Sequence, residues 1–303
     1  MALGGAASPP RVVGRGSAPA RARLRPILKW AGGKSRLVPM ILELLPAQIA
    51  TYYEPFVGGA AVFFALAAER RFKRAVLGDK NRDLIDVYKG VKADVDGVIT
   101  LLVDYARRHD EDTYYQTREL DPDTLDLSQR AARLIYLNKT GYNGLYRVNR
   151  QGRFNVPFGR YDNPKICNEP RLRAASEVLR GRGISIKVAD FEALSERAEP
   201  GDAVYFDPPY VPLTKTASFT GYHSESFGAE QHQRLAEAFA SLTERGVAAV
   251  LSNSGGKETK KLYEGDGVEV AKVMVGRPIN SSAGKRGAVA ELVVSNTKGL
   301  GLV

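Results

Sequence analysis

The chain has 303 residues, 44% hydrophobic and 26% charged, which is enough for a sizeable core in one or two domains. One cysteine, Cys167, excludes disulfides within the chain and argues against a thiolate metal cluster, and no apolar run is long enough to span a bilayer. The formal net charge of +10 points to an anionic partner and is concentrated, with +8 in residues 1–36, +8 in residues 130–173 and −6 in the rest.

Residues 1–24 are rich in Ala, Gly, Pro and Arg and have no apolar periodicity. They are expected to form a disordered basic tail, and they lack the apolar core of a signal peptide. Ile27-Leu28-Lys29-Trp30-Ala31-Gly32-Gly33-Lys34-Ser35 then reads as a loop feeding a helix that runs to about residue 45. Such a helix start suits an anion. Gly33-Lys34-Ser35 imitates the end of a phosphate-binding loop, but Leu28 stands where that motif needs its first glycine, so nucleotide hydrolysis is rejected. Trp30, the single tryptophan, fits either a core or the wall of a cofactor pocket.

Thr51-Tyr52-Tyr53-Glu54-Pro55-Phe56-Val57-Gly58-Gly59-Ala60-Ala61 reads as a strand, a glycine turn and a helix to about residue 71. The glycines let backbone approach a ligand, although the third glycine of a dinucleotide fingerprint is missing. Residues 75–79 form the next predicted strand, ending at Asp79. An acid there either holds ribose hydroxyls or caps the helix that follows to residue 91; the glycine turn before it favours the ligand role.

Residues 93–183 break the strand–helix rhythm, with helical patterns at 94–108 and 128–138. They also contain Asn138-Lys139-Thr140-Gly141-Tyr142-Asn143-Gly144-Leu145-Tyr146-Arg147-Val148-Asn149 and Gly152-Arg153-Phe154-Asn155-Val156-Pro157-Phe158-Gly159-Arg160-Tyr161. Aromatics, asparagines and arginines interleaved on glycine-rich loops suit a surface that grips phosphates and probes bases. Asn143-Gly144 also fits a hairpin turn. Ten basic residues against two acids in 130–173 favour nucleic acid over a merely solvated face.

Strands are predicted to resume at 184–190 and 203–207, followed by a long polar loop at 213–227 with the character of a lid. A helix at 228–244, a strand at 247–253 and a final strand pair at 268–275 and 288–296 complete the chain. A loop at 278–287, next to Arg277, carries Lys285 and Arg286. His109, His223 and His232 are scattered at no ligand-like spacing, so no metal site is expected.

The strand Ala203-Val204-Tyr205-Phe206 stops at Asp207-Pro208-Pro209-Tyr210, because proline cannot continue a ladder. In open α/β sheets the carboxyl end of a strand is where ligands sit. A carboxylate and a proline carbonyl at that point can accept the two N–H bonds of an aromatic exocyclic amine. The nitrogen is then drawn toward tetrahedral geometry and its lone pair is freed, while the tyrosine ring holds the base.

Taken in order, Leu28–Lys34, Glu54–Gly58, Gly141–Arg147, Phe154–Tyr161, Ala203–Tyr210 and Phe219–Phe227 make the chain resemble the Dam-like (D12 class) adenine-specific DNA methyltransferases from about residue 27 to 296. The resemblance implies an α/β fold: a Rossmann-like methyltransferase sheet from residues 25–92 and 184–303, with a mainly helical target-recognition domain inserted at 93–183. It implies methyl transfer from S-adenosylmethionine to the N6 amine of adenine in double-stranded DNA, within a GATC-like site, by base flipping. Trp30, Lys34, Phe56, Gly58, Asp79 and Asp207 would bind the cofactor. Asp207, Pro208 and Tyr210 would hold the flipped adenine. Tyr142 would enter the base stack, Asn143 would face the orphaned thymine, and Lys29, Arg147, Pro157, Arg160 and Tyr161 would contact the site. A monomer in a bacterial or phage cytoplasm, needing no metal and alone or paired with a restriction enzyme, is the expected setting. One departure is Ala60, which replaces the last glycine of the family's Phe-x-Gly-x-Gly and is expected to crowd the cofactor. The competing readings are a catalytically impaired DNA-binding homologue and a methyltransferase acting on an amine of RNA or protein.

Overall fold

The computed structural model describes residues 24–30, 32, 34–210, 227–254, 256–276 and 288–297. The tail (apart from Leu24), His223, all of the predicted lid but Phe227, and the basic loop at 277–287 lie outside the described residues. Seven strands form one sheet: β1 (Ile49–Glu54), β2 (Phe72–Asp79), β3 (Ile184–Val188), β4 (Ala203–Phe206), β5 (Ala248–Ser254), β6 (Glu269–Gly276) and β7 (Ala288–Ser295). Their spatial order is β3-β2-β1-β4-β5-β7-β6. The first five strands run parallel, and β7 is antiparallel to both β5 and β6.

The chain therefore builds outward from β1 through β2 to β3, then returns to place β4 on the other side of β1. Strand order reverses between β1 and β4, and a crevice opens at the carboxyl ends of strands at such a point. Glu54 ends β1 and Asp207 follows β4, so both stand at that reversal.

Side-chain alternation divides the sheet between two cores. Tyr52, Ala203, Tyr205, Val250 and Val293 face one core, together with α1 (Val38–Leu44), α2 (Ala61–Ala68), α3 (Arg82–Ala93), α4 (Val95–Arg107), α5 (Glu111–Glu119), α6 (Leu127–Thr140) and α7 (Glu169–Leu179). Tyr53, Val204, Phe206, Leu251, Leu292 and Val294 face the other, with α8 (Phe191–Ser195), α9 (Ala229–Glu244) and Tyr263, which follows α10 (Lys257–Leu262). All four residues of β4 are buried, as expected of a strand covered on both faces. Among the described residues no helix is long and apolar enough to cross a membrane.

Within residues 93–183 the structure holds α4–α7, and these helices join the first core. Gly90 of α3 makes this closeness possible, since a Cβ there would lie 2.6 Å from the Cβ of Ala131 in α6. Four helices escaped the sequence reading, among them α7, which has a proline in its first turn after its Asn168 cap. In α5 the polar sequence EDTYYQTRE hides a single buried stripe built on Thr113, Tyr114 and Thr117. The other two, α8 and α10, span only five and six residues.

The Asn143-Gly144 turn differs from expectation. Both residues adopt positive φ (54° and 62°), but they form a single 3-10 turn. The strand-like bridges pair Gly141 with Phe158 and Val148 with Phe154, so the hairpin turns instead at Asn149–Gly152. There Asn149 donates its N–H to the Arg153 carbonyl and its side chain accepts from Gln151 and Arg153.

Candidate active site

The reversal point gathers ionisable groups from four segments distant in sequence. Asp207 projects beyond β4 on the side of Tyr205. Its Oδ1 lies 2.9 Å from Lys34 Nζ and accepts from the Ser252 hydroxyl of β5 at 3.1 Å. Ser252 in turn shares a 2.8 Å hydrogen bond with the Tyr205 hydroxyl. The Lys34 side chain is 3% exposed. It donates to the Gly32 carbonyl at 3.0 Å and to the Tyr210 hydroxyl, and its ammonium lies 4.3 Å from the centre of the Tyr210 ring. Pro208 is buried and Pro209 exposed. Burial lifts the Asp207 carboxyl above its usual range, Lys34 and Ser252 oppose that rise, and Glu291 adds to it. Lys34 of the N-terminal loop thus touches both Asp207 and Tyr210 of the Asp-Pro-Pro-Tyr motif.

The glycine turn between β1 and α2 forms the second wall. Gly58 adopts φ +43°, its N–H donates to Asp79 Oδ2 at 3.4 Å, and its carbonyl accepts from the Tyr88 hydroxyl at 2.6 Å. A Cβ on Gly58 would sit 3.0 Å from Trp30 Cδ1, so the absence of a side chain keeps this turn against the indole. Trp30 is half-buried and also meets Tyr146, with ring centres 5.4 Å apart. Phe56 stacks on Phe191 at 5.4 Å and meets Phe227 edge-on at 5.5 Å. Asp79 does not cap the next helix; Asn81 does so by accepting from Leu84 N–H. Asp79 accepts from the backbone of Asn81 at 2.9 Å, and burial raises its carboxyl from 3.8 to about 6.

These groups fit S-adenosylmethionine on the chemistry they present. Asp79 offers an acceptor for ribose hydroxyls, Gly58 a close backbone approach, Trp30 and Phe56 flat walls, and Asp207 negative charge for a sulfonium. Ala60 sits one residue before α2 in the left-handed region (φ 56°, ψ 34°), is 1% exposed and belongs to the first core. Its departure from glycine therefore carries backbone strain of about 1 kcal/mol.

The residues expected to contact DNA are tied to one another by local contacts. Lys29 Nζ stands 5.0 Å from the centre of the Tyr161 ring, and the Tyr161 hydroxyl donates to the Gly141 carbonyl at 3.4 Å. Tyr142 N–H donates to the Pro157 carbonyl at 2.9 Å, while its side chain is 48% exposed beside exposed Asn143. Arg147 is exposed but oriented, with Nε and Nη2 donating to the side-chain and backbone oxygens of Asn155 at 2.7 and 3.0 Å. Arg160 is exposed next to Tyr161.

Four contributors were not assigned from sequence. Asn138, 1% exposed, clamps this surface to the loop before Lys34. Its Oδ1 accepts from Lys29 N–H at 2.8 Å, and its Nδ2 donates to the carbonyls of Lys29 and Gly144 at 2.7 and 2.9 Å. Glu54 is buried at the end of β1, accepting from the Tyr52 hydroxyl and Phe63 N–H, and burial raises its carboxyl to about 8. Ser252 donates to Asp207, and Glu291 Oε2 lies 3.8 Å from Lys34 Nζ. A signal existed for three of them: Glu54 and Glu291 are acids ending or interrupting apolar strands, and Ser252-Asn253-Ser254 makes a polar strand end. Nothing in the sequence marks Asn138 as a clamp.

A family model of the D12 class N6 adenine-specific DNA methyltransferases matches residues 30–276. The chain is 39% identical over 277 residues to the type II methyltransferase M1.LlaDCHI of Lactococcus lactis subsp. cremoris, covering 90% of this chain and 95% of that one. It is 42% identical over 292 residues to the type II methyltransferase M.MjaIII of Methanocaldococcus jannaschii, covering 90% and 99%. It is 38% identical over 271 residues to the DNA adenine methylase of Escherichia coli (strain K12), covering 89% and 94%.

Proposed function

The chain belongs to the D12 class of N6 adenine-specific DNA methyltransferases, and on that premise we propose that it methylates a flipped adenine within a GATC-like site of duplex DNA. The observation that carries this reading is Asp207, held at the reversal of strand order with Pro208 and Tyr210 beside it, in contact with the Lys34 loop that Asn138 ties to the basic surface. S-adenosylmethionine supplies the methyl group as an electrophile. The residues of the chain supply position and charge.

The Asp207 carboxylate and the Pro208 carbonyl accept the two N–H bonds of the adenine amine, and the Tyr210 ring stacks on the base. The nitrogen lone pair is then directed at the methyl. When bound, the cofactor would supply a methyl whose bond to sulfur breaks as the nitrogen–carbon bond forms, and the surplus amine proton would leave along its hydrogen bond to Asp207 and on to solvent. An amine paired inside a duplex cannot reach Asp207, so the base is extruded. Exposed Tyr142 enters the stack it leaves, and Asn143 faces the remaining thymine.

Sequencing methylated bases in DNA from cells expressing the protein tests the proposal. N6-methyladenine at GATC is the expected result. Methylation confined to sites lacking GAT overturns the site choice, and no methyladenine overturns the reaction.

Arg147 is expected to read a guanine. Arg147→Ala should cost roughly 1–3 kcal/mol on the preferred site and relax selection at one position. Equal weakening on all sequences would make Arg147 a phosphate contact.

Asp79 gives a pH dependence. A ribose hydroxyl donates to the ionised carboxylate, so cofactor affinity is expected to rise as pH increases through about 6 and to level off above it. The same shift opposes folding, because the folded chain keeps a proton that the unfolded chain releases. Stability therefore falls as pH rises from 3.8 to about 6. Calorimetric titration of the cofactor on both sides of that interval checks the first statement, and an affinity that does not change there would remove Asp79 from the cofactor contact.

A further inference from the structure

Resting on the methyl-transfer reading, we propose that Glu291 is a positioning residue. It draws the Lys34 ammonium off Asp207 when the target amine arrives, leaving that carboxylate free to accept from the amine.

The sheet register brings Glu291 to this place. Glu291 of β7 pairs with Ser254 of β5, and Val293 pairs with Ser252. Paired residues share a face and alternate residues return to it. Glu291 therefore lies on the face of Ser252, whose hydroxyl donates to Asp207. Lys34 Nζ stands between two carboxylates, 2.9 Å from Asp207 and 3.8 Å from Glu291 Oε2. That Glu291 oxygen is buried and has no hydrogen-bond partner among the described residues. An acceptor buried without a donor is unfavourable, and it gains directly if the ammonium moves toward it. Closing the gap to hydrogen-bond length needs a shift of about 1 Å at the end of a flexible side chain.

The shift has a chemical consequence. Asp207 Oδ1 already receives Lys34 and the Ser252 hydroxyl, so part of the carboxylate's negative charge is engaged before an amine N–H can donate to it. The ammonium also opposes the positive charge that develops on nitrogen during methylation. Passing the ammonium to Glu291 weakens both effects and keeps the buried cation paired. In the present arrangement Lys34 rests on Asp207, which is the state expected before the amine enters.

The test compares the wild type with Glu291→Gln and Glu291→Asp, using thermal melts, cofactor calorimetry and steady-state methylation of duplex DNA. Glu291→Gln should lower kcat by about tenfold or more, while KM for DNA and the cofactor Kd stay within about twofold. Glu291→Asp keeps the charge on a shorter arm and should fall between the two. An unchanged kcat in Glu291→Gln overturns the proposal, as does a loss fully recovered by saturating cofactor. Should Glu291→Gln fail to fold, Glu291→Asp decides: a reduced kcat with unchanged KM supports the proposal and a wild-type kcat overturns it. An inactive wild type would instead overturn the methyl-transfer reading itself.

Discussion

Asp207→Ala is expected to lower methyl transfer by at least about 10³-fold, because it removes a preorganised acceptor at the reacting nitrogen. The substitution also touches stability. Lys34 is 3% exposed and loses its 2.9 Å partner, which leaves Glu291 at 3.8 Å as the nearest carboxylate among the described residues. A buried cation stripped of its partner costs about 3 kcal/mol or more, and Glu291 moderates that cost. Asp207→Asn separates the two effects, since it keeps the shape and one carbonyl acceptor at this position. Both variants should melt cooperatively, with the alanine variant less stable, and both should transfer little or no methyl to DNA. Wild-type turnover in either would remove Asp207 from the chemistry.

Asn138→Ala is expected to be the most damaging substitution outside the catalytic motif. Its side-chain amide satisfies both backbone groups of Lys29 and the carbonyl of Gly144. Truncation removes one buried and two part-buried hydrogen bonds and should destabilise the fold by about 2–3 kcal/mol. The consequence for function is selective. Lys29 and the 141–147 loop lose their common anchor, so affinity for duplex DNA should fall by about tenfold or more at a temperature where the variant is folded. Asp79 and Gly58 stand on β2 and the β1–α2 turn, but Trp30 follows Lys29 and packs on Tyr146 of the same loop, so cofactor affinity should fall less than DNA affinity. Calorimetry with the cofactor, beside fluorescence titration with a labelled duplex, distinguishes the cases. Unchanged DNA affinity in the folded variant would make Asn138 a matter of stability alone.

Local rules made much of the molecule legible. Strand ends at Asp79 and Asp207 follow from apolar runs broken by an acid, and in one case by prolines. The β5 strand and the closing β6–β7 pair follow from alternation bounded by polar turns. The missed helices show where those rules weaken. In α5 the apolar stripe is formed by tyrosine and threonine, whose burial depends on Tyr114 donating to the Val156 carbonyl of a loop 42 residues away. The misplaced hairpin has a similar cause. Asn143-Gly144 takes the positive φ its sequence allows, but Tyr142 is drawn to Pro157 and Gly141 to Phe158, which moves the reversal of the chain to Asn149–Gly152.

By itself the sequence determined the residue types at each strand end, the helical character of 93–183, the basic surface there and the order of the motifs, because each depends on neighbours within a few positions. Only the tertiary structure decided which of those groups meet. The return of β4 beside β1 brings Asp207 to Lys34, the antiparallel β7 delivers Glu291 to the same ammonium, and the packing of α6 under the Lys29 loop turns Asn138 into a clamp. These are contacts between segments tens to hundreds of residues apart, fixed by sheet register and core packing, and no local pattern encodes them.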